Sequence, residues 1–288
     1  MVMSVSDDGA CVVGSWAGAE LFRYVYLPDD PPVQAPRPYL HPVRTLGGEL
    51  VTCFRPEDHP WHKGISWSLP NVATENFWGG PTYRRGGGYV QLDNVGTMRH
   101  DGFDAVGADG QRASLAERLT WLTAAGAALF AERRLITAGL QADGAAWSWA
   151  FQTTMRNVGA RTVAIGSPAT EGRANAGYGG LFWRGPAAFA GGRVLTPQRA
   201  AGDEMMGRRA PWLAYATPAA TLIFRDSPVN PGFPCQWFVR SSPYACVCPA
   251  PFFSAEVPVA AGAELTLRYQ VIVADGELGI DGCEALRD

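Results

Sequence analysis

The chain has 288 residues, 47% of them hydrophobic and 18% charged, the balance of an ordinary globular protein with length for a large core. Its formal net charge of −3 comes without any basic run, which argues against a nucleic-acid surface. No apolar stretch approaches the roughly 20 residues that cross a bilayer, no secretory leader is visible, and the six cysteines show neither disulfide nor zinc spacing. Buried free thiols and a cytoplasmic location are therefore expected.

Strand-like runs, punctuated by Gly, Pro, Asn and Asp, recur from end to end. Residues 21–26 alternate around aromatic and β-branched side chains, and residues 50–54 follow the Gly47–Gly48 turn. Longer strands are expected at 114–122, 128–136 and 147–156, with glycine-bearing connectors at 124–127 and 138–144. Within 147–156, Trp147, Trp149 and Phe151 take one side and Ser148, Gln152 and Thr154 the other. The alternation slips late in that run, which predicts a bulge or a strand covered on both faces. Strands follow at 162–166, 212–216, 221–225, 236–240 and 264–273, with 191–209 as a long excursion. Only 276–287 could make a short helix, and Gly279 and Gly282 weigh against it. About 14 or more strands without linker or repeat predict an all-β fold, a large antiparallel β-sandwich with little helix, forming one domain over residues 1–288.

All four histidines fall between His41 and His100, and two of them sit in the densest polar segment, Arg55-Pro56-Glu57-Asp58-His59-Pro60-Trp61-His62-Lys63-Gly64. In an extended strand positions 59 and 62 would face opposite ways. Pro60 predicts a turn, which would bring both imidazoles to one side. Histidine exchanges protons near neutral pH, and Asp58 would fix a tautomer or raise basicity. Trp61 and Trp67 offer flat apolar faces suited to sugar rings. Lys63 is the only lysine in the chain. The plainer reading is a polar loop whose histidines cap strand ends. A metal reading competes with both, drawing on His59, His62, His41 or His100, and a carboxylate such as Glu75 or Asp58, although no recognised ligand spacing supports it.

Two further polar segments stand out. In the first, Thr170-Glu171-Gly172-Arg173 leads through a glycine-rich stretch to Arg184, offering an acid/base in Glu171 and an anchor in Arg173. In the second, Asn230-Pro231-Gly232-Phe233-Pro234 forms a rigid rim before Gln236–Arg240, and Asn230 or Arg240 would bond a ligand. Arg37, His41 and Arg44 form a third candidate set. Gly86-Gly87-Gly88 has no helix behind it to cradle phosphate. No Gly-x-Ser-x-Gly elbow is present, and Ser66 and Ser68 make a weak hydrolase triad.

The segments RPYLHPVRT, DHPWHKGISWSLP, ENFWGG, TEGRANAGYGGLFWR and NPGFPCQWFVR together resemble the bacterial PmoA-like family, a family of unknown function, over roughly residues 37–276. The methane-oxygenase activity in that label is not expected here, because such a subunit is membrane-embedded and nothing in this chain spans a membrane. The family is similar in architecture to the galactose-mutarotase-like supersandwich, and residues 261–276 resemble the last strand of such domains. The resemblance implies a carbohydrate ligand on a concave sheet face, with a histidine and a glutamate at work there. It carries no residue-by-residue catalytic alignment.

The leading expectation is an enzyme acting on a sugar or sugar derivative by histidine/carboxylate acid–base catalysis, of epimerase, lyase or hydrolase type. Its catalytic set is His59, His62, Asp58 and Glu171. Substrate contacts are expected from Arg37, His41, Arg44, Trp61, Lys63, Glu75, Asn76, Trp78, Arg173, Asn230 and Arg240. No cofactor is expected, and the partner is a small-molecule carbohydrate rather than nucleic acid or membrane. The alternatives are a non-catalytic sugar-binding or regulatory module and a metal-dependent enzyme using the clustered histidines. The leading reading requires segments near 40, 60, 170 and 235 to meet around one hollow.

Overall fold

The computed structural model describes residues 2–142 and 144–286. Alternation of apolar and polar side chains folds most of them into two large sheets, of eleven and nine strands, with one two-stranded hairpin beside them. Every ladder between paired strands is antiparallel. The all-β sandwich expected from the sequence is the fold observed.

The eleven-stranded sheet runs in the order Met3–Asp7, Cys11–Trp16, Ala19–Val25, Tyr39–Val43, Ile65–Val72, Gly180–Arg184, Cys246–Ala250, Gln236–Arg240. Glu75–Phe77, Val163–Gly166 and Val257–Val259 branch from its middle. The nine-stranded sheet runs Ala200–Ala201, Arg193–Leu195, Trp212–Ala216, Ala220–Asp226, Glu264–Asp275, Ala146–Asn157, Ala128–Leu140, Arg112–Leu122, Thr97–Ala108. The inner faces meet through large aromatic side chains. Trp67 packs on Phe151 and Tyr269 at 5.8 and 6.2 Å, and Trp183 on Tyr215 and Phe224 at 5.2 and 5.8 Å. Two indoles satisfy their N–H by donating to backbone carbonyls, Trp147 to Arg44 and Trp183 to Val51, whereas the indole N–H groups of Trp67 and Trp149 are buried without a partner among the described residues.

Three local expectations need correction. The run 50–54 is not a strand. Only Leu50 and Phe54 make isolated bridges, because the chain there closes the base of a loop rather than joining a sheet. Ala146–Asn157 does not slip either. Thr153, Met155 and Asn157 continue the inward side, and both of its ladders keep register. Thr153 is buried although polar because its hydroxyl donates to Glu132 at 2.9 Å. The excursion at 191–209 contains the strand Arg193–Leu195 and the edge strand Ala200–Ala201, while a short helix does form at Ile280–Ala285.

Between the sheets lies a polar cluster that strand alternation hides. Glu132 takes two hydrogen bonds from Arg134, at 2.8 and 3.0 Å, one from the Trp121 indole at 2.7 Å, and the one from Thr153. Arg134 also donates to the Tyr24 hydroxyl at 3.1 Å, and Tyr24 donates to Glu117. His100 Nδ1 completes the chain on Glu117 at 2.7 Å. A buried ion pair survives when its remaining donors and acceptors are met in this way.

Candidate functional site

The polar segment at 54–63 is a closed loop. Phe54 and Lys63 bridge across its base. The Arg55 N–H donates to the His62 carbonyl, and turns close from His59 to Pro56 and from His62 to His59 at 3.0 and 2.9 Å. The second turn sets the rings of His59 and His62 side by side, 4.6 Å apart and 11° from parallel. Gly64 lets the chain re-enter the sheet: it holds φ +53, and a Cβ there would lie 2.1 Å from the Leu40 carbonyl oxygen. No other residue type fits that approach.

The loop is pinned from beneath by two buried cations. Arg37 donates to Ser68 at 2.7 Å, to the backbone of Gln34 and Ala35, and to the Trp61 carbonyl at 2.8 Å. Lys63, fully buried, pairs with Asp30 and donates to the Gln34 carbonyl at 3.2 Å. Burial, with Arg37 nearby, pushes the Lys63 ammonium down to about 7. Arg37 and Lys63 therefore position the loop and do not face a ligand, contrary to the contacts expected of them.

Arg184, at the end of Gly180–Arg184, fixes the electrostatics. Its Nη2 donates to both Asp58 oxygens at 3.1 and 3.0 Å, and its Nη1 lies 3.1 Å from His62 Nδ1. A guanidinium can only donate, so His62 Nδ1 accepts and its proton sits on Nε2. Burial, then the charges of His59, Arg184 and Arg37, hold the His62 imidazole well below its usual range, so it is neutral. Burial raises the Asp58 carboxyl, but the hydrogen bonds from His59 and Arg184 outweigh it and leave the group below its usual range. Ionised Asp58 accepts from His59 Nδ1 at 2.8 Å, which leaves Nε2 of neutral His59 as a lone pair. With His59 in its neutral form, the two stacked rings present one accepting and one donating Nε2.

These rings border a cleft of about 460 Å³ on the outer face of the eleven-stranded sheet. Trp61, Trp78, Tyr178, Phe182, Phe238 and Tyr244 wall it, and Arg173, Arg240 and Tyr89 join the lining. The side chain of Asn76 organises one wall: its Oδ1 accepts from the N–H groups of Trp78 and Gly79 at 2.8 and 3.0 Å, and its Nδ2 donates to the Gly80 carbonyl. A Cβ on Gly80 would lie 2.7 Å from the Trp61 ring, so this turn approaches the indole closely. The Tyr244 ring is covered by the Arg184 guanidinium at 3.6 Å, and the Tyr89 and Tyr178 hydroxyls bond at 2.8 Å.

Of the expected site residues, His59, Trp61, His62, Trp78, Arg173 and Arg240 line this one cleft, with Asp58 behind His59. The others lie elsewhere, each for a physical reason. Asn76 is buried and spent on its own turn. His41 stacks on Phe54 and bonds Thr52 at 2.9 Å, and burial with Arg44 nearby pushes it down to about 4. Arg44 donates to the Gly48 carbonyl. Glu75 and Glu171 line a separate polar groove of about 310 Å³ with Arg84 and Arg85. Asn230 ties Asp226 to the backbone of Arg268. Among the described residues no three His, Cys, Asp or Glu side chains group to hold a metal; His41 bonds Thr52 and His100 bonds Glu117. Sequence reasoning missed Arg184, Tyr244 and Tyr178. Only Arg184 left a trace, as an outward cation on a strand whose next residue inward is Trp183.

A larger cavity of about 550 Å³ opens on the outer face of the nine-stranded sheet, beside Pro211, Trp212, Phe233 and Arg268. It contains no histidine, and its carboxylate, Asp226, is engaged by Asn230 and the Cys235 N–H at 2.7 Å each. The smaller cleft therefore holds the exchangeable protons.

The chain is thus an all-β sandwich that carries a histidine pair in an outer aromatic cleft. The chain belongs to the DUF6807 family, a family of unknown function, whose profile matches residues 12–287. That match names no activity, so the PmoA-like and mutarotase-like names stay with the sequence resemblance. No curated protein matches. Among solved structures, the chain is similar to the Slr1438 protein of Synechocystis sp. PCC 6803, at 12% identity and a TM-score of 0.41 over 96% of both chains. It is also similar to an α-galactosidase from Lactobacillus brevis, at 8% identity and a TM-score of 0.39, over 96% of this chain and 39% of that one. A heparan sulfate lyase HepC mutant from Pedobacter heparinus matches at 7% identity and a TM-score of 0.30, over 64% of this chain and 22% of that one. Among the described residues, no helix is long and apolar enough to cross a membrane.

Proposed function

We propose that the cleft binds a sugar or sugar derivative and that His59, backed by Asp58, exchanges a proton with it. The observation that carries this reading is the pair of parallel imidazoles at one cleft, His59 held by Asp58 and His62 by Arg184, which in their neutral forms offer one accepting and one donating Nε2. A hydroxyl is both donor and acceptor, so one such pair meets both of its needs. The indole faces of Trp61 and Trp78 suit the C–H face of a sugar ring.

The roles of the two histidines differ. His62 is held neutral, and giving up its Nε2 proton would leave an imidazolate, so it serves as a fixed donor to an oxygen rather than as the acid. His59 is the proton carrier, because protonation on Nε2 is balanced by Asp58. Hydrolysis by two opposed carboxylates is the least supported of the reaction types, since Asp58 is committed to Arg184 and Glu171 lies in another groove. Proton abstraction leading to epimerisation or elimination fits the groups at hand.

The test is to incubate the chain with aldoses, keto-sugars and uronates in D2O and follow C–H exchange and product by NMR. His59→Ala is expected to slow the reaction about 100-fold or more. His62→Gln, which keeps an N–H donor, should lose less than His62→Ala. Saturable binding with neither exchange nor product would replace the enzyme with the binding-module alternative.

A further inference from the structure

The charges that line the cleft do not balance. Two arginines, Arg173 and Arg240, line it, while Arg184 behind the histidines is committed to Asp58 and His62. Arg173 and Arg240 are half-buried. The Arg173 guanidinium stands over the Tyr89 ring at 5.0 Å, and that of Arg240 over the Phe238 ring at 5.5 Å. Among the described residues neither makes an ion pair with a carboxylate. Glu171, two positions from Arg173, and Asp203, which bonds the residue after Arg240, both lie outside the cleft. Glu171 lines the neighbouring groove with Arg84 and Arg85, and Asp203 accepts both the N–H and the hydroxyl of Ser241. Among the described residues no Asp or Glu lines the cleft itself.

A guanidinium laid against an aromatic face keeps its edge of N–H donors free. In an aromatic-walled hollow, that edge favours a planar anion able to take two parallel hydrogen bonds. The cleft, at about 460 Å³, has the size of a small-molecule site. We infer that its ligand is an acidic sugar whose carboxylate is held by Arg173 and Arg240 while its ring hydroxyls meet His59 and His62. This rests on the reading of the cleft as a sugar site and narrows it to uronates and related sugar acids. It also gives the two arginines a chemical purpose: a carboxylate fixed by two cations acidifies the adjacent C–H, the bond that His59 would have to open.

Calorimetric titration of the full chain with glucuronate and galacturonate, set against glucose and galactose, tests the inference. The uronates should bind at least about tenfold more tightly than the matched neutral sugars. Added NaCl should weaken uronate binding and leave neutral-sugar binding alone, a measurement that needs no variant. Arg173→Gln and Arg240→Gln should each lower uronate affinity by a larger factor than neutral-sugar affinity, and thermal melts confirm that both variants are folded. Equal affinity for charged and neutral sugars overturns the inference and leaves the sugar reading standing. A preference for sulfated or phosphorylated aldoses over uronates overturns the carboxylate assignment. Binding of no sugar at all overturns the inference and the sugar reading together.

Discussion

Two polar clusters in this molecule hold similar residue types in opposite states. Between the sheets, Glu132 and Arg134 satisfy each other and draw in Trp121, Thr153 and Tyr24. On the outer face, the side chains of Arg173 and Arg240 have no carboxylate partner, and His62 presents a donor that nothing in the described chain accepts. The difference lies in what each cluster serves. A buried charge without a partner costs several kcal/mol, so the fold keeps its interior charges paired. At a half-exposed cleft water stands in for the partner at little cost, and a ligand can take the place of that water.

The largest effect that would break this comparison is on the interior side. Glu132→Ala leaves Arg134 buried without its carboxylate and should cost about 3–5 kcal/mol in urea denaturation. An intermediate effect comes from acid. Half-buried His41 resists protonation down to about 4 in the fold, against an ordinary value of 6.5, and buried His62 is shifted the same way. Unfolded, both take a proton near 6.5, so the unfolded chain binds more protons between there and about pH 4. Stability is therefore full above 6.5 and falls as the pH drops through that window. His41→Gln should flatten the slope of melting temperature against pH by the equivalent of about 1–2 kcal/mol, after allowance for screening at its exposed edge. An unchanged slope would remove His41 from the account. The smallest effect belongs to the cleft: Arg240→Gln should move stability by no more than about 0.5 kcal/mol. A loss as large as that of Glu132→Ala would mean that the two clusters do the same work.

Much of the sandwich was legible because long strands alternate cleanly, as in Arg112–Leu122 and Ala128–Leu140. Thr97–Ala108 was not, since its exposure follows no strict period and its glycines mimic turns. Glu117, Glu132 and Arg134 point inward at positions where alternation expects apolar side chains, and only their three-dimensional partners explain them. At the site, the turn signalled by Pro60 and the spacing of His59 and His62 did lead to the imidazole pair. Arg184 was beyond reach, because its partners Asp58 and His62 lie more than a hundred residues away in sequence. The expected role of Glu171 rested on proximity in sequence to Arg173. In an extended or looped segment two residues can sit that close and still open onto different hollows.

Lys63 is the chain's single lysine, and it is sealed beneath the cleft against Asp30. Folded protein therefore offers no side-chain amine to succinimidyl esters, aldehydes or acetylating agents. Any label that does arrive on that nitrogen marks an excursion in which the floor under the two imidazoles has lifted. The molecule carries its own silent reporter of local opening at the one place where such opening would matter to a bound ligand.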